Sequence, residues 1–391
     1  MNFDQLTDRS HTHAIKWSMK ERNLSEDIIP LWVADMDFPA PQSVIDALVR
    51  RAIHGIYGYT RIPDTYYEAT IGWMQKRHRW TIERNEIIVM PGVIPALTVA
   101  IQAFTNKGDA IIIQRPVYHP FTRVIQNNHR KVVNSPLQLD GNRYVMDLED
   151  FEAQIIKHDV KLFILCSPHN PVGRVWTKEE LLNVANICLK HNVYIIVDEI
   201  HHDLVYPGNS HTVLATLGDA YAQNSMICTA PTKTFNLAGL TIANIIIPNE
   251  KRRNDFKHIL KRLEFSPTNL FGALAAEVAY KEGELWLEKL ITYLDDNKTF
   301  VQNYLKEHIP IIRLINTEAT YLLWLDFRNL GLSHEALEHF LLNDAKLWLN
   351  QGKMFGEEGK GFFRMNIATQ RVRLMKALEQ LKEAIDRFHL K

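Results

Sequence analysis

Thr229-Ala230-Pro231-Thr232-Lys233-Thr234-Phe235-Asn236-Leu237-Ala238-Gly239-Leu240 follows directly on the apolar run Met226-Ile227-Cys228. The run reads as the end of a buried strand, so the stretch sets one lysine among small hydroxyl residues at a strand end. Desolvation or neighbouring cations make a lysine shed its proton, and the free amine attacks carbonyls to form a Schiff base. Lys233 is therefore a candidate covalent anchor for an aldehyde. Taken alone, a surface lysine in a polar loop is the commoner meaning of such a motif. The segments around it decide between the two.

Upstream, Lys131 to Asn134, Lys161 to Cys166 and Val193 to Val197 read as strands, with helices over Met146 to Lys157 and Lys178 to His191. Strands that are apolar throughout and alternate with amphipathic helices predict an α/β fold, a mostly parallel sheet covered by helices on both faces. Ligands of such sheets bind beyond the carboxyl ends of the strands. Ser167-Pro168-His169-Asn170-Pro171, Asp198-Glu199-Ile200-His201 and the Lys233 stretch all fall there. Glu86 to Met90 is a further strand, and Pro91-Gly92-Val93-Ile94-Pro95 leads from it into a helix over Ala96 to Phe104. The start of that helix would turn free N–H groups toward a phosphate. Ala110 to Gln114 is the next strand, with Pro116-Val117-Tyr118-His119-Pro120 as its loop.

Further out, helices are predicted over Gln42 to His54 and Asp64 to Trp80. In the loop between them Tyr57 and Tyr59 either pack or reach a ligand. Trp32-Val33-Ala34-Asp35-Met36-Asp37-Phe38 reads as part of an irregular arm lying over another surface. Beyond Asn249 come long helices over Lys251 to Leu263, Thr268 to Lys281 and Leu285 to Glu307. Strands over Tyr321 to Phe327 and Phe362 to Ile367 and a helix over Arg371 to Phe388 then give this half an α+β character. The expected division is an arm and part of the small domain over 1–45, a large domain over 46–285, and a smaller α+β domain over 286–391.

The 391 residues are 46% hydrophobic, with 45 basic and 45 acidic side chains, so the formal net charge is zero. Nothing in that balance attracts nucleic acid or anionic lipid, and partners are expected to be small molecules or protein chains. Cys166, Cys188 and Cys228 lie far apart in or beside apolar runs, and read as reduced core residues of a cytoplasmic protein. No signal-like leader and no membrane-spanning run is predicted.

Asp198 ends the run Tyr194-Ile195-Ile196-Val197. Its carboxylate either caps a helix or serves as counter-ion to a protonated pyridine nitrogen. A lysine, such a carboxylate and an anion site are together what pyridoxal phosphate requires.

Asn170-Pro171-Val172-Gly173-Arg174, Asp198-Glu199-Ile200-His201, Lys233-Thr234-Phe235-Asn236 and Arg364-Met365-Asn366-Ile367 occur in the order found in fold type I pyridoxal-phosphate enzymes, which the whole chain resembles. Trp32 to Phe38, Tyr57 to Thr60, Pro91-Gly92-Val93 and Thr234 to Leu240 look most like the bacterial carbon–sulfur β-lyases, or cystathionine β-lyases. The resemblance implies that Lys233 carries the cofactor and that Asp198 pairs with its ring nitrogen. Asn170 would bond the phenolic oxygen, and Tyr118 would stack on the ring. Gly92 and Val93 would hold the phosphate, with His201 and Thr232 nearby. Tyr59 would reach a phosphate across a homodimer interface, and Arg364, together with Asn170 and Tyr118, would hold the amino-acid substrate by its α-carboxylate. Without the resemblance Arg364 reads equally as a salt-bridge residue. The implied reaction is β-elimination of L-cystathionine or a related S-substituted cysteine to thiol, pyruvate and ammonia. An aminotransferase and a regulatory protein that retains the cofactor site are the alternatives.

Two positions depart from the aspartate aminotransferase pattern, Thr241 where an arginine would help hold the phosphate and His201 where a tyrosine would stand. No metal site is expected, because the adjacent residues His201 and His202 point in different directions and no matching ligands are apparent.

Overall fold

The computed structural model describes residues 2–9, 11–19, 22, 24–265 and 269–389. The central sheet has seven strands: β1 (Ile87–Met90), β2 (Ala110–Ile113), β3 (Lys131–Asn134), β4 (Val160–Cys166), β5 (Tyr194–Asp198), β6 (Ser225–Thr229) and β7 (Ala243–Ile246). Their order is β1-β7-β6-β5-β4-β2-β3. The pairs from β6 across to β3 are parallel, and β7 runs antiparallel to both its neighbours.

The sheet separates two apolar cores. Ile195 and Val197 of β5 pack with Trp73, Phe151 and Leu181 on one face. Tyr194 and Ile196 pack with Leu97, Phe121 and Phe256 on the other. Successive side chains point to opposite faces, so a strand covered on both is apolar at every position instead of alternating. Each buried Ile or Val contributes roughly 1.5–3 kcal/mol.

A second sheet, antiparallel throughout, joins β8 (Arg313–Leu314), β9 (Leu322–Asp326), β10 (Asn350–Gln351) and β11 (Phe362–Asn366) in the order β8-β9-β11-β10. Trp324 of β9 stacks on Phe362 of β11 with ring centroids 5.4 Å apart, and this core is continuous with one face of the large sheet.

Several boundaries differ from expectation for local reasons. The helix after β1 begins at Val93, three residues before the expected Ala96. Pro95 is no obstacle in a first turn, where the N–H would lack a helical partner anyway. The helix Asp64–His78 stops short of Trp80 because Arg79 turns left-handed, with φ 53°. Asp147 delays the next helix to Leu148 by accepting a hydrogen bond from Asp150 N. The lysine stretch, expected as a loop, makes one helical turn over Pro231–Thr234. The helix expected from Thr268 is described over Leu270–Glu282, and Thr268 itself lies outside the described residues. The arm finds its surface on its own chain: Ile29–Pro30 pairs in parallel with Leu347–Trp348, and Trp32 stacks on Trp348 at 4.4 Å. Among the described residues no helix is long and apolar enough to cross a membrane.

Candidate active site

Four of the parallel strands end at one cavity of about 270 Å³, which also opens against the start of the helix Val93–Phe104. Cys166, Asp198 and Cys228 are cross-strand partners, so β4, β5 and β6 end level. The apolar run of β5 carries Asp198 to that edge. The turn after β6 brings Lys233 to it, and the loop after β4 brings Asn170. Gly92, Val93, Tyr118, His201, Thr232 and Thr241 complete this part of the lining.

Lys233 Nζ donates to the carbonyl of Ala34 at 2.6 Å. Burial lowers its pKa to about 8, assisted by the Arg364 guanidinium and opposed by Asp35 and Asp198. Asp198 is buried, and its carboxylate accepts one backbone hydrogen bond, from Ile200 N at 3.2 Å. Burial raises its pKa to about 7, with Glu199 adding to the rise and the Ile200 N–H and Lys233 opposing it. Two ionisable groups thus meet near neutrality, one pushed up and the other down, a pattern that marks functional sites.

Arg364 projects from β11. Its Nη1 donates to Asn170 Oδ1 at 2.9 Å and its Nη2 to Trp32 O at 3.0 Å, while Nε is buried without a hydrogen-bond partner. Burial lowers its pKa to about 10. No carboxylate pairs with it among the described residues, which removes the structural salt-bridge reading. Its forked geometry remains suited to a carboxylate ligand.

His201 is buried and its Nδ1 has no hydrogen-bond partner. Burial, then Lys233, Arg364 and His202, hold its pKa well below the usual histidine value, so the ring is neutral. The hydroxyl of Thr229, at the end of β6, is also buried and unpartnered. Tyr59 is the exception among the expected residues: it is fully exposed and does not line the cavity of its own chain.

Sequence reasoning assigned no role to the residues that pin the arm across the cavity. Asn236 donates to Met36 O and Phe38 O and accepts from Met36 N. Asn366 donates to Val33 O and Asp35 O, both at 2.6 Å, and the Tyr321 hydroxyl reaches Ala34 O at 2.9 Å. The available signal was that both asparagines stand inside the quoted motifs. Asn236 also holds a left-handed φ of 58°, which asparagine tolerates better than most residues.

The family model described as aminotransferase class I and II matches residues 26–381. The chain belongs to this family. Within it, the chain is 41% identical to cystathionine beta-lyase PatB of Bacillus subtilis (strain 168), over 98% of this chain and 100% of that one. Cystalysin from Treponema denticola, whose structure contains a pyridoxal 5'-phosphate cofactor, superposes with a TM-score of 0.96 at 35% identity, covering 99% of both chains. The PLP-bound C-S lyase from Staphylococcus hominis gives 0.90 at 31% identity, over 98% of this chain and 99% of that one.

Proposed function

We propose that this family member is a pyridoxal-phosphate-dependent carbon–sulfur β-lyase that cleaves L-cystathionine or a related S-substituted cysteine to a thiol, pyruvate and ammonia. The observation that carries the reading is the under-paired couple of Asp198 and Lys233 at the parallel-strand ends, beside a helix start and a buried arginine that meets no acid among the described residues. The names of the relatives supply the reaction class.

The cavity passes a chemical test of fit. Asp198 has acceptor capacity left for a protonated pyridine nitrogen, and Lys233 has an amine with a lowered pKa for the aldehyde. Gly92 and Val93, at the helix start, would offer N–H groups to the phosphate. Tyr118 would cover the ring face, Asn170 would bond the phenolic oxygen, and His201 and Thr232 would complete the surround. Pyridoxal phosphate, when bound, supplies an electron sink for the negative charge that develops at the substrate Cα.

The remaining steps belong to the chain. Arg364 grips the substrate α-carboxylate and fixes which Cα bond faces the sink. Lys233 Nζ, once released from holding the cofactor, takes the Cα proton, a role that needs a value near working pH. Loss of the β-sulfur as a thiol completes the elimination. The arm carrying Ala34 lies against Lys233 and accepts its hydrogen bond. Tyr59, exposed on its own chain, reaches the phosphate of a second copy, which makes the enzyme a homodimer. Residues 46–285 hold the cofactor, and 286–391 bring Arg364 to it. Cys166, Cys188 and Cys228 are buried and free, which suits a reducing cytoplasm.

The test is to supply the purified, cofactor-loaded protein with L-cystathionine and follow pyruvate and free thiol together. Equal release of both is the expected result. Conversion of the cofactor to its amine form without thiol would overturn the assignment in favour of an aminotransferase.

A further inference from the structure

Just past Asp198 the same segment builds a second buried polar centre, against Trp73 and His78 of the helix Asp64–His78. Asp203 is its hub. His78 Nε2 lies 2.8 Å from Oδ1 of Asp203, and His202 Nε2 lies 3.2 Å from Oδ2. The Trp73 indole N–H reaches both oxygens at 3.2 Å, and the Thr234 hydroxyl donates to Oδ2 at 2.8 Å. Ligand atoms of His78, His202 and Asp203 all lie within 4.8 Å of one another. A second acid–histidine pair adjoins them, Glu199 Oε2 and His211 Nε2 at 3.1 Å. The His211 ring is 5.9 Å from that of His78 and 6.2 Å from that of His202.

His202 decides what the centre needs. Its Nδ1 is 2.5 Å from the Glu199 carbonyl oxygen. A carbonyl only accepts, so Nδ1 carries the hydrogen, and in the neutral ring Nε2 presents its lone pair. That lone pair faces a carboxylate oxygen, and two acceptors at such a distance repel unless a positive species stands between them. His202 Nε2, both ring nitrogens of His211 and Glu199 Oε2 are all buried without an aligned hydrogen-bond partner. Native proteins leave few such atoms, and a cluster of them points to an ion.

We propose that His78, His202 and Asp203 form a binding site for a zinc-like divalent transition-metal ion. Two imidazoles and a carboxylate are a donor set zinc accepts, and tetrahedral bonds of its usual length put neighbouring ligand atoms about 3.3 Å apart. The contacts of 2.8 and 3.2 Å run to the two different oxygens of Asp203, and one ligand atom from each residue lies within 4.8 Å of the others, so the side chains would draw in around the ion by rotation. A proton on His202 would bridge that one nitrogen to Asp203, whereas a dication would take His78 into the same contact and leave a further position for a water. The outer contacts are those that hold metal ligands in orientation: a backbone carbonyl on the far nitrogen of His202, and Trp73 and Thr234 on the carboxylate. Trp73, which bonds Asp203, also lines a cavity with Gly72, Lys76, Tyr280 and Glu284. Thr234 adjoins Lys233, so the ion would brace the turn that carries the lysine. His78 lies on a helix distant in sequence, which is why the sequence reading found no third ligand for His202 and Asp203.

The test strips the holoenzyme with a chelator and titrates it with Co²⁺ and with Zn²⁺, reading stoichiometry by elemental analysis, the Co²⁺ visible spectrum and the thermal midpoint. One ion per chain, a tetrahedral cobalt spectrum and a raised midpoint are expected, with affinity falling at least about 100-fold in His202→Gln and in Asp203→Asn. Failure of the native chain to take up either ion overturns the proposal. Uptake that is undiminished in the variants does so too, since it would place the ion elsewhere, for example on the cofactor. If either variant folds poorly, His78→Gln, at the end of its helix, provides the comparison.

Discussion

Asp37 and Asp198 are both buried carboxylates, 2% and 4% exposed, yet their protonation is driven in opposite directions. Asp37 meets Lys16 at 2.8 Å, Arg9 at 2.9 Å and Arg373 at 3.5 Å, and the Trp17 indole N–H at 3.1 Å. Burial alone would raise its pKa, but Lys16 and the other donors bring it to about 2. Asp198 is given one backbone N–H, and burial prevails, taking it to about 7. The first carboxylate is finished by its own chain and ties the arm down. The second has capacity in reserve, and a protein keeps an incompletely paired buried acid where a ligand will complete it.

The comparison breaks most sharply at Lys233. Lys233→Ala removes both the holder of the cofactor and the Cα base, and a fall in kcat of at least about 10⁴-fold is expected in the pyruvate assay. Next in size is Asp37→Ala, which leaves the fully buried Lys16 with only the longer contact to Asp35 at 3.9 Å. A loss of roughly 3–5 kcal/mol in urea unfolding is expected, and a loss below about 1 kcal/mol would show that Asp37 is less finished than its contacts imply. Arg364→Lys keeps the charge but loses the fork. A drop of about 100-fold in kcat/KM, mostly through KM, is expected, with unfolding stability little altered.

The last effect is a gradual one, the pH dependence of cofactor-free protein, smallest when read over any single pH unit. Asp37 has a folded value below its unfolded one, so its contribution is present above about pH 4 and is lost as pH falls toward 2. Asp198 has a folded value above its unfolded one, so stability falls as pH rises from about 4 to 7, with a slope of about 1.4 kcal/mol per pH unit. Asp198→Asn is expected to remove that slope, and chemical denaturation across the range measures it.

The large sheet was legible in the sequence because its signal is local. A strand buried on both faces must be apolar at each position, as Ile195-Ile196-Val197 is, and the first polar residue after it marks the sheet edge where ligands bind. Asp198, Asn170 and Lys233 were legible for that reason. What was not legible depends on contacts between distant segments. Nothing near Trp32 to Phe38 says that Asn236 and Asn366 will hold its carbonyls, and nothing near His202 announces His78. The one-turn helix at Pro231–Thr234 is shorter than any periodicity can report. Tyr59 is exposed and does not line the cavity of its own chain, so its expected role concerns a second copy.

The most direct measurement is to load the protein with pyridoxal phosphate, reduce it with borohydride so that the cofactor is locked onto the lysine that holds it, and map the modified peptide by mass spectrometry. The account predicts one modified site per chain, Lys233. Modification of another lysine, or none in the peptide containing Lys233, would contradict it.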